Sequence, residues 1–246
     1  MGKDKYKLCG YDYEDVSAPR SINSPLKIID GPDGRVIDYY LIDDIENIRD
    51  YIDFLREVEN AKSTDIIRIH INCHGGDGDI AWHIVDKLRE SRAHKDIYIE
   101  GVCASAATLI MLAGNSWHIQ PHSYVMIHAW HGWMMGKWNE QVAMFEYHKK
   151  IVEQQFRDHY SNFMTNEEIE ACLQGKDFYF DYTETMTRLQ NYQADLVRKQ
   201  EAINKVQAKY QGLMEKEVQD IIDGKEVATE EKETLKGKIL KKKESK

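Results

Sequence analysis

A chain of 246 residues, 42% hydrophobic and 30% charged, can bury one sizeable core, so the composition describes one globular domain with an appendage. The formal charge of -9 argues against nucleic acid as the main partner, because phosphate binding calls for a positive field. No apolar run approaches the roughly 18–20 residues of a membrane helix, and the polar opening MGKDKYKLCGYDYED lacks a signal-peptide core, which makes the cytoplasm the expected compartment.

Residues 1–30 are polar and read as an irregular terminal arm. Gly31-Pro32-Asp33-Gly34 is a turn, and Arg35 to Ile42 (RVIDYYLI) reads as a strand. Apolar residues at Ile45, Ile48, Tyr51, Ile52, Leu55 and Val58 give 43–61 helical spacing. The β-branched run DIIRIHIN (65–72) is a second strand, broken by CHGGDGD (73–79), after which Ile80 to Ser91 is a helix. DIYIEG (96–101) is a third strand, and Ala104 to Ala113 is small and apolar enough to be a buried helix. Two short strands follow at 117–119 and 124–127. Alternating strands and helices imply a largely parallel sheet in an α/β fold.

A long helix is expected over 139–164, capped by Asn139, with Val142, Phe145, Ile151, Phe156, Tyr160 and Phe163 as its apolar stripe. Thr165 and Glu168 form a capping box for the next short helix. Residues 184–223 carry Leu189, Tyr192, Leu196, Ile203, Val206, Tyr210 and Leu213 at steps of three, four and seven, which suit a coiled-coil seam interrupted by Lys199. Residues 224–246 hold eight lysines and five glutamates and read as a solvated, disordered tail. The four cysteines (Cys9, Cys73, Cys103, Cys172) form no CxxC pair, which favours free thiols over disulfides. The ten histidines show no zinc spacing, so no metal is expected.

Three segments place special residues at the ends of apolar strands, where open α/β sheets bind ligands. In CHGGDGD the glycines allow backbone N–H groups to face outward as anion donors, although a plain turn is the commoner meaning of a lone glycine pair. In EGVCASAATLIMLAGN, Ser105 lies where a strand hands over to a helix, among Ala104, Ala106 and Ala107. It is either a nucleophile or a helix-capping serine. In SYVMIHAW, His128 ends a strand, as a base or as a satisfied core histidine. Together they suit nucleophilic catalysis, since a serine needs a base and an oxyanion hole.

The motifs HINCHGG, EGVCASAATLIMLAG and YVMIHAWHGWMMG, in that order, resemble those of the Clp protease proteolytic subunit family: INSPGG, G-x-A-A-S-M-G and MIHQP. The resemblance covers roughly residues 35–185. It implies a Clp/crotonase-type α/β fold of stacked β-β-α units with a protruding long helix, and a peptidase domain over 31–183 followed by a helical extension over 184–223. It also implies Ser105 as nucleophile, His128 as general base, Gly76 and Ala106 as oxyanion donors, and Asp177 as the triad acid, with Asp181 as the alternative. No cofactor is implied. The partners implied are a polypeptide substrate, further copies of the chain in a ring stacked through the long helix, and a separate AAA+ unfoldase, since no GxxxxGK[ST] motif is present.

The departures are specific. Cys73-His74 replaces Ser-Pro, Ala129-Trp130 replaces Gln-Pro, and the family's segment after the acid is missing. Such divergence is similar to that of bacteriophage Clp-like peptidases, so a head-maturation protease acting on capsid or scaffold protein is a second expectation. A non-catalytic ring or scaffold subunit is a third, and an acyl-CoA enzyme of the crotonase type a fourth. Cys103 could share a strand face with Ser105. His74 and His131 are candidates to line the pocket, and Trp130, Trp133, Met134, Met135 and Trp138 to form an apolar cluster.

Overall fold

The computed structural model describes residues 6–8, 11–13, 25–132 and 135–222. Two short strands, β1 (Tyr6–Leu8) and β2 (Tyr11–Tyr13), form an antiparallel pair. The main sheet contains β3 (Leu26–Asp30), β4 (Arg35–Leu41), β5 (Ile66–Cys73), β6 (His94–Ala104), β7 (Ser116–Ile119), β8 (Tyr124–Ile127) and β9 (Phe178–Phe180). Its order is β3-β4-β5-β6-β8-β9, with β7 also paired to β6. The β4, β5, β6, β7 and β8 pairings are parallel, and β3 and β9 close the sheet antiparallel. This is the α/β architecture the alternation of patterns predicted.

Helices α1 (Ile52–Asn60), α2 (Gly78–Glu90) and α3 (Ala106–Met111) connect the parallel strands. The core is aliphatic: Ile37, Ile67, Ile69, Ile71, Ile97 and Ile99 alternate into it from the strands, and Ile84, Val85 and Leu88 meet them from α2. At roughly 1.5–3 kcal/mol for each fully buried side chain, this layer supplies most of the force that holds the sheet together.

β6 serves two partners. Asp96–Ile99 pairs with β7 and Val102–Ala104 with β8, so the strand must bend between them. Gly101 stands at that bend. A Cβ there would lie 2.3 Å from Asn72 Oδ1, which instead accepts the Val102 N–H at 2.9 Å. The bend carries the strand past the expected end at 101, on to Ala104.

Several local expectations are corrected. Leu26–Asp30, read as irregular, is a strand on β4. The helix expected over 43–61 begins only at Ile52. Ile45 is buried in a bridge with Gly76, and a 3-10 turn at Ile48–Tyr51 intervenes. The long helix α4 runs Trp138–Tyr160, with Lys137 rather than Asn139 at its cap position. The side chain of Gln141 donates to Gly136 C=O at 2.6 Å instead. The predicted capping box is present at α5 (Asn166–Leu173), with Glu168 N–H donating to Thr165 Oγ1 and Thr165 N–H to Glu168 Oε2.

α6 (Tyr182–Ile222) is a single helix. The chain divides into a compact unit, Met1–Gln193, and a second, Ala194–Lys246. Within the first, Thr185, Leu189 and Tyr192 are buried, Tyr192 Oη donates to Leu112 C=O at 3.0 Å, and Arg188 grips Glu168 at 2.6 Å. Within the second, Val197, Ile203, Val206 and Tyr210 are exposed. The tail over 224–246 lies outside the described residues, as do Trp133, Met134 and much of the arm over 1–30.

Candidate active site

The site begins with a backbone strain that the small residues around Ser105 make possible. β6 ends at Ala104, α3 starts at Ala106, and Ser105 between them holds φ 54 and ψ -128. Among the described residues it is the one non-glycine with positive φ. Such a conformation costs about 1–3 kcal/mol and persists where its surroundings enforce it. Here Ser105 N–H donates to Met126 C=O at 2.9 Å. The Ser105 carbonyl accepts from Thr108 N–H at 2.9 Å and from Thr108 Oγ1 at 2.6 Å. Thr108 is fully buried and shares a hydrogen bond with the Tyr160 hydroxyl, which ties the turn to α4. A strained strand-to-helix turn pushes its side chain out of the sheet end, where it can react.

β8 delivers the second group. Its last residue is Ile127, and His128 follows, half-buried, with Nε2 2.7 Å from Ser105 Oγ. Burial lowers the His128 pKa and His131 adds to that; the charge of Asp177 and a hydrogen bond to the Ala129 backbone oppose it. The imidazole is therefore held in the neutral form that a base requires.

The glycine pair closes the site from the β5–α2 loop. Gly75 has φ 108, and a Cβ on it would lie 2.6 Å from Ser105 Cβ and 2.9 Å from Ala106 N. Only a glycine lets the two turns touch. Gly76 is fixed through its neighbours: Ile45 N–H donates to Gly75 C=O at 2.7 Å and Asp77 N–H to Ile45 C=O at 2.6 Å. In a parallel bridge of this kind the central residue's own N–H points away from the bridge partner. Asp77 then caps α2, accepting from the N–H groups of Asp79 and Ile80.

These elements surround a cavity of about 980 Å³, within the first unit, whose lining includes Ser105, His128, Gly76, Ala106 and Asp177. Five sequence-predicted residues therefore converge on one space. Asp177 sits exposed between α5 and β9. Among the described residues no hydrogen bond joins it to His128, and its influence there is through charge. Asp181 instead stands just before α6, its Oδ1 accepting the Glu184 N–H at 2.9 Å.

His74, Trp130 and His131 line the cavity. Cys103 is fully buried, so the shared strand face does not bring it to the pocket, and burial holds its thiol well above the ordinary range. Cys73 is buried too, its pKa raised by desolvation, with Sγ donating to Asp43 C=O at 3.1 Å. Neither thiol is poised as a nucleophile. Of the expected apolar cluster, Trp130, Met135 and Trp138 are exposed, and Trp133 and Met134 lie outside the described residues. Sequence reasoning missed the Thr108–Tyr160 tie, for which the i+3 position of Thr108 was the available sign. It also missed the contact of His131 with His128, whose rings stand 4.9 Å apart.

Among the described residues no cluster of His, Cys, Asp and Glu could hold a metal ion, and no helix is long and apolar enough to cross a membrane. In comparisons with known proteins, the family model of the Clp protease matches residues 40–188. No curated protein matches the chain.

Proposed function

The chain belongs to the Clp protease family, and from that premise we propose that it is a serine endopeptidase with Ser105 as nucleophile and His128 as base. The observation that carries this reading is the 2.7 Å pair of Ser105 Oγ and His128 Nε2 at the strained turn. His128 Nε2 takes the hydroxyl proton as Ser105 Oγ bonds to a peptide carbonyl carbon. The Gly76 and Ala106 N–H groups receive the resulting oxyanion, and one such donor is worth about 10²–10³ in rate. The tetrahedral intermediate collapses, the C–N bond breaks, and the amine leaves with the proton from His128. Water, deprotonated by His128, then hydrolyses the acyl-enzyme. Asp177 stabilises the imidazolium through its charge.

Self-assembly into a ring is part of the proposal, and the outer face of α4 supports it. Val142, Met144, Phe145 and Tyr147 are exposed there, more apolar surface than a helix in water needs. An unfoldase would bring the polypeptide to the site, or, in a bacteriophage setting, a capsid or scaffold protein would itself be the substrate. Light scattering after size exclusion tests the assembly, and a monomer at high concentration counts against it.

The decisive experiment is fluorophosphonate labelling of the wild type and of Ser105→Ala. Labelling of the wild type alone is expected. Equal labelling of both proteins, or of neither, overturns the assignment.

A further inference from the structure

The family triad gives the Nδ1 side of the histidine to a carboxylate, and here a second histidine stands in that place. We propose that His131 is a positioning residue that holds His128 by its Nδ1 atom, while Asp177 contributes only its charge. The inference rests on the reading of Ser105 and His128 as nucleophile and base.

Ser105 Oγ lies 2.7 Å from His128 Nε2, so a neutral base must leave Nε2 free to accept and carry its proton on Nδ1. The side-chain atom at hydrogen-bond range of Nδ1 is His131 Nδ1, at 3.4 Å, with the rings inclined by 42°. One of two facing ring nitrogens must donate and the other accept. Because Ser105 fixes the tautomer of His128, His131 is the acceptor, and its own proton belongs on Nε2.

The two histidines are three residues apart on the loop that leaves β8, so a short stretch of chain sets their spacing. Asp177 reaches the cavity from the separate α5–β9 loop and makes no hydrogen bond to His128 among the described residues. The Ala129 backbone carbonyl is a second acceptor for the one Nδ1 proton of His128, which it shares with His131. The remaining carboxylates and histidines that line the cavity are Asp44, Glu46, His74, Asp77, Asp79 and His148.

The arrangement has a consequence that a carboxylate in the same seat would not produce. A protonated His131 has no acceptor at Nδ1 and turns an N–H and a positive charge on His128. Both histidines must therefore be neutral for the base to work. The charge of His131 lowers the His128 pKa whereas the charge of Asp177 raises it, so removing each should move the acid limb of the rate in opposite directions.

The test is the rate of fluorophosphonate labelling against pH for the full chain and for His131→Ala, His131→Asn and Asp177→Asn. His131→Ala should label about three- to tenfold more slowly at pH 8, the loss of one hydrogen bond. Its acid limb should move to higher pH, because the lowering effect of His131 on His128 is gone. His131→Asn places an amide oxygen where Nδ1 was and should recover most of the rate, with the limb moved in the same direction. Asp177→Asn should be slower with its limb moved to lower pH, because a charge that raises the His128 pKa is lost. His131 is exposed, so these changes should leave the melting curve in place. The proposal is overturned if His131→Ala matches the wild type in rate and in the position of its acid limb. It is also overturned if both His131 variants are slow with an unchanged limb, which marks a merely structural role. If the wild type is not labelled, or Ser105→Ala is labelled equally, the peptidase reading itself fails.

Discussion

Replacing Gly75 with alanine tests whether contact between the glycine loop and the Ser105 turn is what positions the nucleophile. The new Cβ would lie 2.6 Å from Ser105 Cβ, 2.7 Å from Ala104 O and 2.9 Å from Ala106 N. Non-bonded carbons settle at about 3.4 Å or beyond. Moving Ser105 Cβ from 2.6 Å to that distance is a retreat of about 0.8 Å. Two of the three obstacles are backbone atoms, so no flexible side chain can absorb the shift. A misplacement on the order of 1 Å costs about 10²-fold in rate. Alanine at φ 108 adds strain of about 1–3 kcal/mol. That strain lowers Tm by roughly 2–4 °C per kcal/mol in a unit of this size. The assay is second-order labelling by a fluorophosphonate, with a thermal melt on the same sample. Gly75→Ala should label about 10²-fold more slowly while still folding cooperatively. A labelling rate within about twofold of wild type, by a folded protein, would refute the claim that this contact sets the nucleophile.

Two further outcomes follow from groups outside the reaction. His159 is buried, with Nε2 donating to Leu109 C=O at 3.1 Å and Nδ1 accepting from Arg89 at 2.9 Å; burial first, then the Arg89 charge, push its pKa down to about 3. The unfolded chain takes up this proton below about pH 6.5 and the folded chain does not. Stability is thus full above pH 6.5 and falls as the pH drops towards 3, by about 2 kcal/mol at pH 5. Chemical denaturation at pH 7 and pH 5 measures this, and His159→Gln should flatten the difference; an equal loss in that variant contradicts it. Thr165→Ala removes one half of the capping box at α5 and should cost about 1 kcal/mol. A melt reads that as roughly 2–4 °C, and an unchanged Tm would show that Glu168, through Arg188, holds the helix end without it.

Much of the site was legible because its chemistry is tied to local sequence. The strand-to-helix junction at Ser105, the glycine pair and His128 each follow an apolar run whose period announces a strand. Small residues on both sides of Ser105 mark a turn that must be approached closely. The first turn of α5 was legible for a similar reason, since a capping box is made by residues three apart. By contrast, the helix expected over 43–61 was misread. Ile45 fits a helical stripe, but burial in a bridge with Gly76 outweighed its local preference. β9 and β3 were missed because a three- or five-residue edge strand carries too few residues to show a period.

The sequence by itself determined the alternation of strands and helices, the order of the motifs and the chemical types that meet at the sheet ends. Those depend on periodicity and on residues adjacent along the chain. Only the tertiary structure decided what stands beside His128. On paper Asp177 was the expected partner of the base and His131 only a candidate to line the pocket, but one arrives on a loop between α5 and β9 and the other on the same loop as the base. Distances across a cavity depend on how packed elements aim their loops, to within the fraction of an ångström that a hydrogen bond requires. The sequence pattern fixes no such quantity, and here it is what separates a carboxylate acting through charge from a histidine in contact.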